Sequence, residues 1–168
     1  MGSPAVGSCW VVASSPLGEV YPRAIDDVMQ LFSDPVRAWF SATFGAATAP
    51  QSAAWPLITS GHHTLVSAPT GTGKTLAAFL ASIDRLVTSS NDESVGTRVL
   101  YISPLRALAV DVERNLRAPL VGIAHQARRL DRDVALPTVG VRSGDTEPAE
   151  RRRLQRHPPD ILITTPES

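Results

Sequence analysis

Ser67-Ala68-Pro69-Thr70-Gly71-Thr72-Gly73-Lys74-Thr75 follows a short apolar run, Thr64-Leu65-Val66, and opens an apolar-periodic segment, Leu76-Ala77-Ala78-Phe79-Leu80. A buried strand, a glycine-rich turn and a helix start, in that order, make a phosphate cradle. Glycines let the backbone curl so that consecutive N–H groups point at phosphate oxygens. The helix N-terminus adds unpaired N–H groups and a favourable dipole. Lys74 is placed to reach β- and γ-phosphates, and the Thr75 hydroxyl to sit on Mg²⁺. The strict pattern has glycine six residues before the lysine, where this chain has Ala68.

Of the 16 basic residues, Lys74 is the only lysine; the other 15 are arginine. Arginine serves generic surface positions throughout an Ala-, Arg- and Pro-rich chain. Lysine is kept where a compact ammonium, rather than a planar fork, meets phosphate.

A chain of 168 residues with 43% apolar content suits one domain with a core and excludes wholesale disorder. Formal net charge is zero, so no global field draws it to nucleic acid. Residues 1–97 carry 4 basic and 7 acidic side chains and residues 98–168 carry 12 and 9, a mild polarity only. Cys9 is the only cysteine, which leaves no disulfide framework and no cysteine metal cluster. No apolar run approaches the roughly 20 residues a membrane span needs. Val6-Gly7-Ser8-Cys9 lacks the basic and apolar regions of a signal peptide, so the expectation is a cytoplasmic protein without a membrane partner.

Along the chain, residues 1–22 carry Gly, Ser and Pro without sustained periodicity and read as a poorly ordered leader, with the domain covering 23–168. Ile25, Val28, Met29 and Phe32 have helical spacing. Ser33-Asp34-Pro35 reads as a cap with an early proline, opening a helix through Val36, Trp39, Phe40 and Phe44 that Gly45 ends. Thr48-Ala49-Pro50-Gln51 starts a third helix, carrying Trp55 and Ile58 and closed by Gly61. Gln51 has two compatible readings. Thr48 and Gln51 have capping-box spacing, which spacing alone favours, and a glutamine this far before the cradle lysine can also read the edge of adenine.

Beyond the cradle helix, 89–96 is a polar loop and 98–102 a second buried strand. A stripe of Leu105, Leu108, Val112 and Leu116 predicts a helix, and another covers 123–130. Residues 137–141 read as a third strand, 148–156 as a short arginine-rich helix and 161–164 as a fourth strand. Strands alternating with helices imply βαβ units and an α/β fold with a parallel sheet. Three loops follow the later strands: Ser103-Pro104-Leu105-Arg106-Ala107-Leu108-Ala109, Arg142-Ser143-Gly144-Asp145-Thr146 and Thr164-Thr165-Pro166-Glu167-Ser168. Ligands of open α/β sheets bind outside the carboxyl ends of strands, so all three belong on the cradle's edge. Their hydroxyls, helix-start N–H groups and one arginine suit a nucleic-acid backbone.

Together these segments resemble superfamily 2 helicases. Ala68-Pro69-Thr70-Gly71-Thr72-Gly73-Lys74-Thr75 looks like motif I, alanine included. Pro104-Leu105-Arg106-Ala107-Leu108-Ala109 looks like motif Ia of the large helicase-related (Lhr) and Ski2-like groups, and the run from Pro158 to Ser168 is close to the Lhr form of motif Ib. The resemblance covers residues 25–168. It implies a P-loop NTPase (RecA-like) fold, ATP-driven movement on single-stranded nucleic acid with DNA favoured over RNA, and a link to DNA repair. It assigns Thr70, Gly71, Thr72, Gly73, Lys74 and Thr75 to ATP–Mg²⁺, with Lys74 and Thr75 serving catalysis, and Gln51 to adenine. Pro104, Leu105, Arg106, Ser143, Gly144, Asp145, Thr165 and Pro166 line the strand-binding edge. Trp39 or Phe44 is a stacking candidate for adenine.

The family's Asp-Glu-x-His motif does not occur here; the only Asp-Glu, Asp92-Glu93, sits in a polar loop. The expectation is an N-terminal part of the first motor domain, lacking that motif and the second motor domain with its arginine finger. Such a part binds ATP without efficient hydrolysis, is marginally stable, and has its remainder supplied, if at all, by a separate chain. The alternative is an inactive truncated remnant with at most weak nucleotide binding. A small-molecule kinase would need a substrate lid rather than two backbone-tracking loops. Arg151, Arg152, Arg153 and Arg156 read as a solvated face before a phosphate grip, His62-His63 as strand-start residues, and Asp111 and Glu113 as support for their helix.

Overall fold

The computed structural model describes residues 10–14, 27–89, 96–104 and 106–168, with the backbone alone for 10–14 and 106–110. The chain divides into two compact units, within residues 1–81 and 82–168.

In the first unit, β1 (Trp10–Ser14) pairs antiparallel with β2 (His63–Ser67), in register from Trp10 opposite Ser67 to Ser14 opposite His63. This differs from expectation in two respects. A strand lies within the stretch read as a leader, and among the described residues the strand before the cradle ladders to it. Trp10-Val11-Val12-Ala13 is a short β-favouring run whose Gly- and Ser-rich flanks mask it, and β2 needs a partner for its backbone groups. The other leader residues lie outside the described residues.

The helical spacing from Ile25 becomes a short 3₁₀ turn, Val28–Leu31, in which Met29 N–H donates to Asp27 Oδ1 at 3.0 Å. Then come α1 (Asp34–Phe44), closed at Gly45 with φ 75°, and α2 (Ala49–Thr59). Phe32, Trp39, Phe40 and Trp55 are buried. Trp55 sits edge-on to Phe32 and Phe40, with centroids 5.0 and 5.4 Å away. Its indole N–H donates to Ala77 O at 3.1 Å. A fully buried tryptophan needs such an acceptor, and this one ties α2 to the start of α3 (Lys74–Thr88).

In the second unit, β3 (Val99–Ile102), β4 (Val139–Arg142) and β5 (Ile161–Thr164) form a parallel sheet ordered β3-β5-β4. Val99 and Val139 both stand opposite Ile161, and Ile102 and Arg142 both stand opposite Thr164. The amino ends are stapled by Asp160. Arg98 donates to its Oδ1 from Nη2 at 2.7 Å and Nε at 3.2 Å, while Thr138 N–H and hydroxyl donate to Oδ2 at 2.8 and 2.9 Å. Burial pushes the Asp160 carboxyl up, but these hydrogen bonds and the Arg98 charge prevail and hold it below the usual carboxylate value.

A single helix, α4 (Arg106–Arg129), replaces the two expected over 105–116 and 123–130. Pro119 lies inside it. An interior proline costs about 3 kcal/mol. Leu116, Leu120, Ile123 and Ala127 carry the buried stripe through it without a change of phase, and each large side chain contributes about 1.5–3 kcal/mol, so the helix continues. The short α5 (Pro148–Arg156) packs on β4: a Cβ at Gly140 would stand 2.8 Å from Leu154 Cδ2 and Pro159 Cγ. Leu65 on β2 is exposed, as are Leu100 (59%) and Ile102 (56%) on one face of β3. Among the described residues β3 has a ladder partner on one edge only.

Candidate functional site

The loop between β2 and α3 holds the cradle. Gly71 and Gly73 have φ of 80° and 81°, the left-handed region that glycine enters without strain. Ala68 is not among the positive-φ residues, so alanine in the place of the usual glycine costs nothing. Thr72 hydroxyl donates to Pro69 O at 2.8 Å, bracing the turn. Lys74 is the first residue of α3, and its Nζ donates to Ala68 O at 2.5 Å and Pro69 O at 2.6 Å. The ammonium thus lies on the carbonyls of its own loop. Thr70 and Thr75 are exposed, Thr75 in the first turn of α3.

Two residues at the start of α2 hold this loop from behind. Thr48 hydroxyl donates to Thr72 O at 2.9 Å. Gln51, 4% exposed, accepts from Thr48 N–H at 3.0 Å through Oε1 and donates to Gly73 O at 3.3 Å through Nε2. The capping box is therefore formed, and the amide also reaches the cradle. An amide group has two donors and two lone pairs, so one of each remains. That pair is what the edge of adenine presents a match for.

Asp27, Met29, Arg37, Ser41, Gly45, Ala47 and Ser52 line a cleft of about 380 Å³ beside this point. Its polar lining, with Arg37 bonded to Asp34, was not legible as a site, because the residues come from three separate elements. Trp39 is buried edge-on against Phe40 and Phe44, a core position rather than a free stacking face; Phe44 is 53% exposed. The residues fit a nucleoside triphosphate: backbone donors at a helix start, one ammonium and one exposed hydroxyl. Among the described residues no cluster of His, Cys, Asp or Glu could hold a metal.

In the second unit the equal register of β3, β5 and β4 brings their following loops out at one level. Ser103 is buried and donates its N–H to Thr164 O at 2.8 Å, and Pro104 is exposed. Leu105 lies outside the described residues, and of Arg106 the backbone alone is described, as the first residue of α4. Thr165 is buried with its hydroxyl 2.9 Å from that of Ser168, while Pro166 is exposed. The Glu167 carboxyl is held below its usual value by its own backbone N–H and by the Thr165 hydroxyl. Ser143 is buried, and Gly144 and Asp145 are exposed.

Arg151 is the residue the sequence reading missed. Rather than a solvated face, its guanidinium lies against the 143–146 turn: Nε donates to Thr146 O at 2.8 Å, and Nη2 to Gly144 O at 2.5 Å and Ser143 O at 3.4 Å. Arg153 does follow that reading, paired at the surface with Glu150. No sequence signal separates Arg151 from its two neighbours.

A parallel sheet with its loops at one edge, and a glycine-rich cradle ahead of a helix-starting lysine, define a P-loop nucleotide-binding protein. The profile of DEAD/DEAH box helicases matches residues 48–168, and the chain belongs to that family. It is 57% identical over 142 residues to the Lhr helicase/probable uracil glycosylase of Mycolicibacterium smegmatis, covering 84% of this chain and 9% of that protein. It is 43% identical over 145 residues to the ATP-dependent helicase Lhr-Core protein 2 of Thermococcus barophilus, covering 85% and 17%. The structure of the Mycobacterium smegmatis helicase Lhr bound to ssDNA and AMP-PNP superposes with a TM-score of 0.78 at 56% identity, over 84% of this chain and 18% of that one. The similarity is thus to the Lhr type, and the chain spans only 9% to 17% of the length of these two relatives.

Proposed function

We propose that this chain is the ATP-binding part of an ATP-driven helicase or translocase that moves on single-stranded DNA in the service of DNA repair. By itself it holds ATP–Mg²⁺ without efficient turnover. The observation that carries this reading is the cradle: Gly71 and Gly73 in the left-handed region, with Lys74 Nζ resting on the Ala68 and Pro69 carbonyls. Exchanging those two carbonyls for phosphate oxygens takes one swing of a flexible side chain. Thr70, Gly71, Thr72 and Gly73 would present the loop to the phosphates, Lys74 would neutralise them, and the Thr75 hydroxyl would be a ligand for the metal. Gln51 reads adenine with the donor and acceptor its structural bonds leave over. Mg²⁺, when bound, would supply charge neutralisation for the phosphates, and the Thr75 hydroxyl would hold it.

We assign Pro104, Ser143, Gly144, Asp145, Thr165 and Pro166 to the edge that takes the DNA backbone, with Leu105 and Arg106 added by the family resemblance alone. The relative bound to ssDNA and AMP-PNP supports both ligands, and the glycosylase in a relative's name supports repair. Phosphoryl transfer rests on positioned charge, and the chain has no Asp-Glu-x-His to orient the attacking water. No described helix is long and apolar enough to cross a membrane.

A second reading, an inactive remnant with at most weak nucleotide binding, is favoured by the bared Leu65, Leu100 and Ile102. Binding of a fluorescent ATP analogue with Mg²⁺, beside Lys74→Ala, with ATP turnover measured with and without single-stranded DNA, separates the two. Lysine-dependent binding without turnover is the expected result. DNA-stimulated turnover lost in the variant overturns the claim of inefficient hydrolysis, and absence of binding leaves the remnant.

A further inference from the structure

We infer that Arg151 is a positioning residue that shapes the 143–146 turn for the DNA backbone while making no contact with DNA itself; this rests on the reading of that turn as part of the strand-facing edge. β4 ends at Arg142, and the chain then turns, with Thr146 N–H donating to Ser143 O at 3.1 Å and Ser143 N–H to Thr146 Oγ1 at 2.7 Å. Three carbonyls of this turn, those of Ser143, Gly144 and Thr146, accept from the one guanidinium of Arg151. A planar fork satisfies several acceptors at fixed angles, which a lysine ammonium does not.

The consequence lies on the opposite side of the turn. In a trans peptide the carbonyl and the next N–H point in opposite directions, and no peptide bond among the described residues is cis. Drawing the Ser143 carbonyl toward Arg151 therefore turns the Gly144 N–H the other way. Gly144 is exposed, and no atom lies within 4 Å of where its Cβ would be. An N–H turned outward at an exposed glycine favours an anion such as a phosphodiester. α5 is fixed for this task by Leu154, one turn along, which sits over Gly140.

The test uses the full chain with Arg151→Ala, Arg151→Lys and, as a control, Arg152→Ala, reading anisotropy of a labelled oligothymidylate across a salt series. Both Arg151 variants should lose about tenfold in affinity, the order of one charge-assisted hydrogen bond, with the slope of log affinity against log salt unchanged. ATP-analogue binding should stay at the parental value and serve as the folding check. A slope shallower by about 0.7, the loss of one phosphate contact on a single strand, would make Arg151 a direct DNA ligand and overturn the proposal. Unchanged affinity would overturn it as well. If the parent binds no oligothymidylate, the reading of the edge falls. Amide exchange at Thr146 then decides the clamp alone: faster exchange in Arg151→Lys upholds it and equal exchange removes it.

Discussion

Gln51 Nε2 donates to Gly73 O at 3.3 Å and occupies the space beside the Gly73 Cα, where any Cβ would collide with that nitrogen. Glycine at 73 is thus required twice, by a φ of 81° and by the side chain that holds the loop. Gly73→Ala should destabilise the chain by more than about 1 kcal/mol and weaken nucleotide binding. Combining it with Gln51→Ala should return part of the loss, since the collision goes and the backbone strain stays. Urea unfolding of the four members of that cycle gives the coupling; strict additivity would count against the contact.

Lys74→Arg should fail in nucleotide binding nearly as fully as Lys74→Ala, at least about tenfold below the parent, because the guanidinium is a wide planar group where the loop admits a point charge. Titration with an ATP analogue checks this. Thermal midpoints should hardly move, as the bonds of Nζ are to two carbonyls near the surface.

The pH dependence of the second unit should carry the signature of Asp160. Its carboxyl titrates below the ordinary value of 3.8 in the folded chain, so the unfolded chain binds the proton first as pH falls. Stability from this group is therefore complete above that ordinary value and is lost as pH drops through the lower, folded one. Asp160→Asn should flatten the acid limb of a stability–pH curve. At neutral pH it should cost about 1.5–3 kcal/mol, the scale for hydrogen bonds to a charged group. An unaltered acid limb would remove Asp160 as its source.

Leu100 and Ile102 project from one face of β3 into solvent. Leu100→Lys with Ile102→Thr should reduce self-association in light scattering while stability moves by no more than about 0.5 kcal/mol per site, as expected of surface changes. A large loss of stability would show that the face is covered in solution.

Local chemistry is what the sequence made legible. The cradle, the proline-marked helix starts and the strand runs each depend on residues a few positions apart, so their patterns can be read in a short window. The Thr48–Gln51 cap belongs here too, but the reach of Gln51 to Gly73 spans 22 positions and no window carries it. The Asp160 staple joins residues 62 apart. Proline is a strong local signal that divides α4 in any short window, and the stripe that overrides it has value only against a sheet formed elsewhere in the chain. Arg151 was lost among three like residues whose difference is which way each faces.

The strand order β3-β5-β4 has a kinetic meaning. β5 is the last of the three to be made, yet it lies between the other two and supplies both ladders. In the finished sheet β3 and β4 have no ladder with each other, and the ladders of both run to residues 161–164. Closure of the sheet is then a single late event of high contact order. During synthesis, the described parallel sheet of this unit cannot be complete until residues 161–164 have been made.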